Sequence, residues 1–149
     1  MTVVVSSNLS KKLSKRSQIK SNRTSLFVAR YPVGINYRLE AIKLILDIGS
    51  NDVRVVGMYG PGGVRKTAIA KVVYNMIYAH FEGSSFLENV REKFGTFNGI
   101  IHLQETLLYE ILGDINLKVG NVWRGINLIK ERLCSKRILL TLDDVDILD

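Results

Sequence analysis

An apolar, β-branched run that leads into a glycine-rich turn constrains this chain more than any other feature. Residues 53–59, Val-Arg-Val-Val-Gly-Met-Tyr, predict a strand buried on both faces of a parallel sheet. The turn at residues 60–63 holds three glycines, and residues 66–79 then show the apolar spacing of a helix. A strand, a glycine loop and a helix in this order indicate a phosphate-binding loop.

The residue types in this loop suit phosphate chemistry. Gly60, Gly62 and Gly63 allow the backbone to wrap closely around an anion, which the N–H groups and the positive end of the following helix attract. Lys66 would place its ammonium on the β- and γ-phosphates, and the Thr67 hydroxyl would face Mg²⁺. The alternative is a glycine-rich turn with an ordinary Lys-Thr helix start.

Arg65 is the position that departs from the pattern. The phosphate-binding loop has Gly, four free positions, Gly, Lys and then Ser or Thr, and Arg65 stands where the second glycine belongs. One interpretation makes the guanidinium an additional phosphate clamp. The other, which we favour, is that the side chain obstructs the ligand and puts a cation at a helix N-terminus.

A second strand supplies carboxylates. Residues 138–142, Ile-Leu-Leu-Thr-Leu, predict a buried strand that ends in Asp143 and Asp144. This is the Walker B arrangement, in which Asp143 would hold Mg²⁺ and Asp144 would orient or activate the attacking water. With Lys66, these two acids are the predicted catalytic residues. Paired acids at a strand end are more often a solvated turn, so the prediction depends on the upstream loop.

The remaining pattern alternates helices with strands, which indicates an α/β sheet with right-handed crossovers. Further helices are predicted at residues 36–48, around 103–112 and at 121–134, a strand at 84–90, and a loop at 95–99. The fold class that we predict is a three-layer P-loop sandwich around a parallel sheet, truncated after the Walker B strand.

The formal charge of +7 belongs to one end of a chain of 149 residues. Residues 1–30 hold seven of the 21 Lys and Arg and no acid, leaving 14 basic against 14 acidic residues in 31–149, so nucleic-acid binding is not indicated. We expect residues 1–30 to be a disordered basic leader, with an organellar transit peptide as the alternative.

Cys134, the single cysteine, is expected to be a small buried residue. No apolar run is long enough to insert into a membrane.

Four segments along the chain belong together as a set. They are Tyr31-Pro32-Val33-Gly34-Ile35, residues 57–64 (Gly-Met-Tyr-Gly-Pro-Gly-Gly-Val), residues 81–92 (Phe-Glu-Gly-Ser-Ser-Phe-Leu-Glu-Asn-Val-Arg-Glu) and residues 138–146 (Ile-Leu-Leu-Thr-Leu-Asp-Asp-Val-Asp). In this order they resemble the NB-ARC nucleotide-binding domain of plant disease-resistance proteins. The third segment and Asp146 suggest the subclass with a TIR domain upstream and leucine-rich repeats downstream.

The resemblance implies a cytoplasmic molecular switch, in which ADP holds a receptor closed and exchange for ATP opens it. It places Val33 and Gly34 at the adenine pocket and assigns Mg²⁺ to Thr67 and Asp143. Full-length resistance receptors are implied as partners. The cofactor-binding residues that follow are Val33, Gly34, Gly60, Gly62, Gly63, Val64, Arg65, Lys66, Thr67 and Ala68.

Segments that the family carries after the Walker B strand have no counterpart in residues 31–149. One of them, the sensor strand, lies between the loop strand and the Walker B strand in the related fold, so we expect a gap in the sheet or a pairing foreign to that fold. With Arg65, this suggests weak or absent ATPase activity. The alternative is a non-enzymatic interaction fragment, or a degenerate copy, without a nucleotide cycle.

Overall fold

The computed structural model describes residues 2–7, 24–28, 34–49, 52–63 and 65–146, with only the backbone described for residues 2–7. Four strands and five helices follow one another in these ranges. They are β1 (Thr2–Ser7), α1 (Ile35–Leu46), β2 (Arg54–Met58), α2 (Lys66–Ile77), β3 (Gly83–Leu87), α3 (Val90–Phe94), α4 (Phe97–Leu112), α5 (Val122–Leu133) and β4 (Ile138–Leu142), with a 3₁₀ turn at Tyr78–His80 after α2.

The four strands form one mixed sheet in the order β2-β1-β4-β3. β3 and β4 are parallel, in a register that runs from Gly83 opposite Ile138 to Leu87 opposite Leu142. β1 is antiparallel to both of its neighbours, β2 and β4. Consequently β2, β3 and β4 all point the same way, and their carboxyl ends lie at one edge of the sheet.

Helices lie on both faces of the sheet, because alternate residues of a strand point to opposite sides. Leu139 on β4 packs with Val56, Phe86 and the apolar stripes of α1 and α2. Its neighbours in β4, Ile138 and Leu140, pack instead against a second core built from α4, α5 and Val90. The predicted three-layer α/β architecture is therefore confirmed.

Local signals explain where most elements begin and end. Thr96 caps α4 by accepting a hydrogen bond from the Gly99 N–H at 3.0 Å, and Asn121 caps α5 through the Arg124 N–H at 2.8 Å. Gly113 ends α4 in the left-handed conformation at φ 73°. Because of the Thr96 cap, α4 begins inside the predicted 95–99 loop.

The prediction that β2 is buried on both faces is wrong. Val56 is buried, but Val55 beside it is 62% exposed and Val53 is 52% exposed. The second core contains residues of β3 and β4 and none of β2 among the described residues. A run of β-branched residues predicts a strand but does not determine whether a helix covers each face.

The structure describes two parts of the expected leader, residues 2–7 as the strand β1 and residues 24–28 as a segment without a regular element. Residues 2–7, Thr-Val-Val-Val-Ser-Ser, are uncharged and mostly β-branched, which suits a strand between two others. Leu26 is held to α2 by two hydrogen bonds of 2.7 Å with the Asn75 side chain. The rest of the expected leader, residues 1, 8–23 and 29–30, lies outside the described residues.

Two smaller predictions also change. The strand predicted for residues 84–90 ends at Leu87, because residues 88 and 89 turn the chain into the short helix α3. Cys134 is exposed, since it caps the carboxyl end of α5 at the surface, and its thiol donates to the Glu131 carbonyl at 3.5 Å.

Candidate functional site

The glycine loop connects the carboxyl end of β2 to the N-terminus of α2, as predicted. Gly63 has φ 85°, a conformation that glycine adopts without a steric penalty. The Lys66 ammonium reaches back across the loop and donates to the carbonyls of Gly60 at 2.8 Å and Pro61 at 3.0 Å. Its charge is thereby held over the loop at the start of α2, where the helix dipole already favours an anion.

The loop and the Walker B strand meet at one hydrogen bond. The Thr67 hydroxyl donates to Asp143 Oδ2 at 2.8 Å, which joins residues 76 positions apart in the chain. Asp143 is only 7% exposed, and its N–H donates to the Leu87 carbonyl at 2.8 Å, so β3 also positions it. The structure therefore brings together the hydroxyl and the carboxylate that the sequence assigned to Mg²⁺.

A cavity of about 410 Å³ opens at this junction, large enough for phosphate groups. Arg65 and Lys66 contribute positive charge to its lining, and Asp143 and Asp144 contribute negative charge. Its lining residues are Gly63, Arg65, Lys66, Thr67, Asn89, Asp143 and Asp144.

Asn89 is a lining residue that our sequence reasoning missed. It follows β3 in the left-handed conformation, at φ 55° and ψ 43°, which asparagine tolerates better than most residues. The N–H groups of Val90 and Arg91 donate to the carbonyls of Asp143 and Asp144, at 3.1 and 2.9 Å, and tie the start of α3 to the end of β4. The sequence could have identified Asn89, because ligands bind at the carboxyl ends of parallel strands and Asn89 lies at the carboxyl end of the predicted strand at residues 84–90.

Asp144, the second predicted acid, is held by an arginine. The Arg91 guanidinium lies 3.3 Å from the Asp144 carboxylate and 3.5 Å from that of Asp146. Asp144 itself has φ 56°, so the backbone turns sharply directly after Asp143. Asp144 therefore lines the cavity as part of an ion pair.

Arg65 adopts a backbone conformation that glycine takes without a steric penalty. It is the residue before α2 and has φ 53° and ψ 36°, in the left-handed region. A side chain in this region costs roughly 1–2 kcal/mol, which glycine avoids. Arg65 also lines the cavity, so its position bears on both backbone strain and ligand access.

Some predicted binding residues lie outside this cavity lining. Gly34 begins α1 at φ 74°, and Gly60 contributes its carbonyl to Lys66. Gly62 is exposed within the loop, and Ala68 is partly buried in the first turn of α2. Val33 and Val64 lie outside the described residues.

A more apolar groove of about 350 Å³ adjoins the glycine loop. It shares Lys66 with the cavity at the junction of the loop and the Walker B strand. It runs between α1, the end of β2 and α2. Tyr37, Arg38, Ile42, Tyr59 and Ile69 are among its lining residues. An aromatic and aliphatic groove next to a glycine loop has the composition that a nucleobase requires.

The donor set at the junction fits Mg²⁺ better than a transition metal. Among the residues that the structure describes, no group of three or more His, Cys, Asp or Glu side chains could hold a metal ion. Mg²⁺ in phosphate sites uses one or two protein oxygens together with phosphate and water. The Thr67 hydroxyl and the Asp143 carboxylate are two such oxygens.

Comparisons with known proteins agree on one family. The NB-ARC domain model matches residues 35–146. Disease resistance protein RUN1 of Vitis rotundifolia is 48% identical over 76% of the chain, and RPV1 of the same species is 43% identical over 87%. TMV resistance protein N of Nicotiana glutinosa is 35% identical over 83% of the chain.

These alignments cover only 9%, 9% and 11% of the lengths of RUN1, RPV1 and protein N. No solved structure matches the chain. Within the described ranges, the helices are too short or too polar to cross a bilayer. The family match extends over the glycine loop, the Walker B strand and every helix of the structure, and the chain belongs to the NB-ARC family.

Proposed function

We propose that this chain is an adenine-nucleotide-binding switch module of a plant disease-resistance receptor of the TIR-containing subclass. The hydrogen bond between Thr67 and Asp143 carries the proposal, because it brings the phosphate-binding loop and the Walker B strand to one cavity. Family membership supports nucleotide binding. The choice of ADP and ATP and the switching role rest on the resemblance and on this geometry.

Phosphate binding is assigned to the loop half of the cavity. The N–H groups at the start of α2 and the Lys66 ammonium supply the positive charge that the β- and γ-phosphates require. α2 has no acidic residue in its first turn, so no side chain of that turn competes with the anion for the helix dipole.

Metal binding is assigned to Thr67 and Asp143. When bound, Mg²⁺ would neutralise charge on the β- and γ-phosphates. The hydrogen bond holds the Thr67 hydroxyl and Asp143 Oδ2 2.8 Å apart, close enough for both oxygens to bind one ion. Asp143 is also buried, which limits its competing contacts with water.

Asp144 and Asn89 are assigned to the side of the cavity where an attacking water would lie. Asp144 would accept a hydrogen bond from that water, but Arg91 holds its carboxylate at 3.3 Å. The carboxylate would have to turn away from this ion pair to meet the water, so slow hydrolysis is proposed.

Arg65 is proposed to weaken nucleotide binding. Its left-handed conformation carries a backbone penalty, and its side chain lines the space that phosphates would enter. The test is a titration of fluorescent ADP with Mg²⁺ into the wild-type chain and Arg65→Gly. We expect tighter binding by the variant, and equal affinities would contradict the obstruction. Arg124→Gly, at the exposed start of α5, controls for loss of a surface charge.

The alternative function is a non-enzymatic interaction fragment that docks on a full-length resistance receptor. The exposed apolar side chains of β2 and its flanking residues favour it, since Val53, Val55 and Tyr59 are between 52% and 66% exposed. If neither the wild type nor Arg65→Gly binds nucleotide, this function is supported instead. A cytoplasmic location is proposed for both, and a reporter fused to residues 1–30 would test it, since organelle signal would contradict it.

A further inference from the structure

One of the two interior positions of the sheet is filled by β1, a segment that is remote in the chain from both of its neighbours. β1 pairs with β2 through five residue pairs, from Thr2 opposite Met58 to Ser6 opposite Arg54. It pairs with β4 through five more, from Val3 opposite Leu142 to Ser7 opposite Ile138. The continuity of the sheet between β2 and β4 therefore depends on the backbone hydrogen bonds that β1 makes.

Without β1, two strand edges would face each other across an empty space. Strands in a sheet are about 4.8 Å apart, so β2 and β4 would be separated by roughly 10 Å, too far to pair directly. Their unpaired N–H and C=O groups would lie beside the apolar core that contains Val56 and Leu139. This space is a site for one extended strand, and we call it the strand slot.

We propose that the strand slot can be filled by residues 2–7 of a second copy of this chain, which gives a strand-exchanged dimer. The backbone hydrogen bonds of the slot are the same whether β1 comes from the same copy or from another. The inference does not depend on nucleotide binding.

The connection between β1 and the body permits this exchange. Leu26, anchored to Asn75, is the first described residue after β1 with a long-range hydrogen bond. Residues 8–25 link it to Ser7, and a segment of that length spans roughly 60 Å when extended. β1 can therefore reach the slot of a neighbouring copy without disturbing Leu26.

Residues 8–25 also make strand exchange depend on protein concentration and salt. Because β1 belongs to the same chain as its slot, its effective concentration there is on the order of mM, and the closed monomer dominates in dilute solution. Residues 8–25 carry six Lys or Arg and no acid, and two such segments repel each other in a dimer. We expect the dimer fraction of the full chain to increase with protein concentration and with salt.

The first test shortens the connection. In a variant that lacks residues 9–20, β1 has less reach toward its own slot, and light scattering with size exclusion should show twice the monomer mass at about 10 µM, far below the effective concentration of the intact linker. Adding Val4→Pro should restore the monomer mass, because proline cannot donate within a central strand. Val4→Thr keeps the N–H and should remain a dimer.

The second test leaves the linker intact and covers the case in which the shortened chain does not fold. A fluorescent peptide of residues 1–8 should bind full-length Val4→Pro, whose slot is vacated, at least tenfold more tightly than the wild type. A peptide that itself carries Val4→Pro should not bind. A shortened chain that folds as a monomer overturns the proposal, and so does a Val4→Pro chain that is folded by circular dichroism and does not bind the wild-type peptide.

Discussion

The two halves of the phosphate cavity rest on differently built parts of the same sheet. Asp143 and Asn89 follow β4 and β3, a parallel pair whose side chains contribute to cores on both faces. The glycine loop follows β2, which is at the sheet edge, pairs with β1 among the described strands, and has one exposed face. The half of the site that holds Asp143 and Asn89 is therefore supported by local packing, whereas the position of the glycine loop depends on β1.

Arg65 lies on the less supported side of this comparison. A residue in a strained conformation persists when the surrounding structure determines it strongly. Here the surroundings are an exposed loop on an edge strand, while the left-handed residues Asn89 and Asp144 lie where backbone hydrogen bonds tie α3 to β4. Asn89 and Asp144 are thus held where α3 meets β4, whereas Arg65 is held at the start of α2, where its carbonyl accepts from the Ile69 N–H at 3.0 Å.

Lys66→Ala should produce the largest change. Loss of the charged donor should weaken ADP binding by roughly 10- to 150-fold, the equivalent of 1.5–3 kcal/mol for a hydrogen bond to a charged group. Fluorescence anisotropy with labelled ADP measures this.

Asp143→Asn tests the metal-binding half of the site. Its effect on ADP binding should largely disappear when Mg²⁺ is withheld, whereas the effect of Lys66→Ala should persist. Equal dependence on Mg²⁺ would contradict this division of roles.

Val56→Ala and Val55→Ala compare the two faces of β2. Val56 is 8% exposed, and its truncation should lower the free energy of unfolding by about 2 kcal/mol through lost burial and a small cavity. Val55 is largely exposed, and its truncation should change the free energy by less than about 0.5 kcal/mol. Urea unfolding measures both. Similar losses would mean that something covers the Val55 face.

Thr141→Val tests the better supported half. Thr141 is fully buried on β4, and its hydroxyl has no hydrogen-bond partner among the described residues. Valine has nearly the same shape and no polar group, so the variant should be more stable by about 1 kcal/mol. Thr106→Val is the control, because the Thr106 hydroxyl donates to the His102 carbonyl at 2.8 Å. Destabilisation by Thr141→Val would indicate a partner for the hydroxyl.

Glu110→Gln should have the smallest effect, on the pH dependence of stability. Burial between α4 and β3 raises the pKa of Glu110 above its ordinary value of 4.5, and the nearby Glu88 carboxylate raises it further. Hydrogen bonds from the Ser85 hydroxyl and the Phe86 N–H lower this pKa, as does the charge of Lys93. The folded chain then binds this proton more tightly than the unfolded chain does. Its contribution to stability is present below the ordinary pKa and is lost as pH rises through the raised one.

Replacement by glutamine should therefore flatten the decline in the free energy of unfolding above pH 4.5. Urea unfolding over a series of pH values measures this. Glu105→Gln is a suitable control, because Glu105 is on the same helix and accepts from the Val119 N–H at 3.0 Å. An unchanged slope in Glu110→Gln would contradict the role of burial.

Much of the fold and half of the site could be predicted from local patterns. The apolar spacing located α1, α2, α5 and β4 to within about two residues, since helices and strands have different periods. The meeting of Thr67 with Asp143 was also predictable, because a glycine loop and a strand ending in acids converge in a P-loop fold. Asn89 was accessible to the same reasoning, as a residue that follows a parallel strand.

The sequence by itself determined the elements, the phosphate-binding chemistry and the anomaly at Arg65, because periodicity, turn residues and charge act over short distances. Only the tertiary structure decided that residues 2–7 occupy an interior position of the sheet, that one face of β2 is exposed, and that Arg91 holds Asp144. The physical reason is that strand pairing uses backbone groups common to every residue, so a strand's place depends on which distant edges remain unpaired.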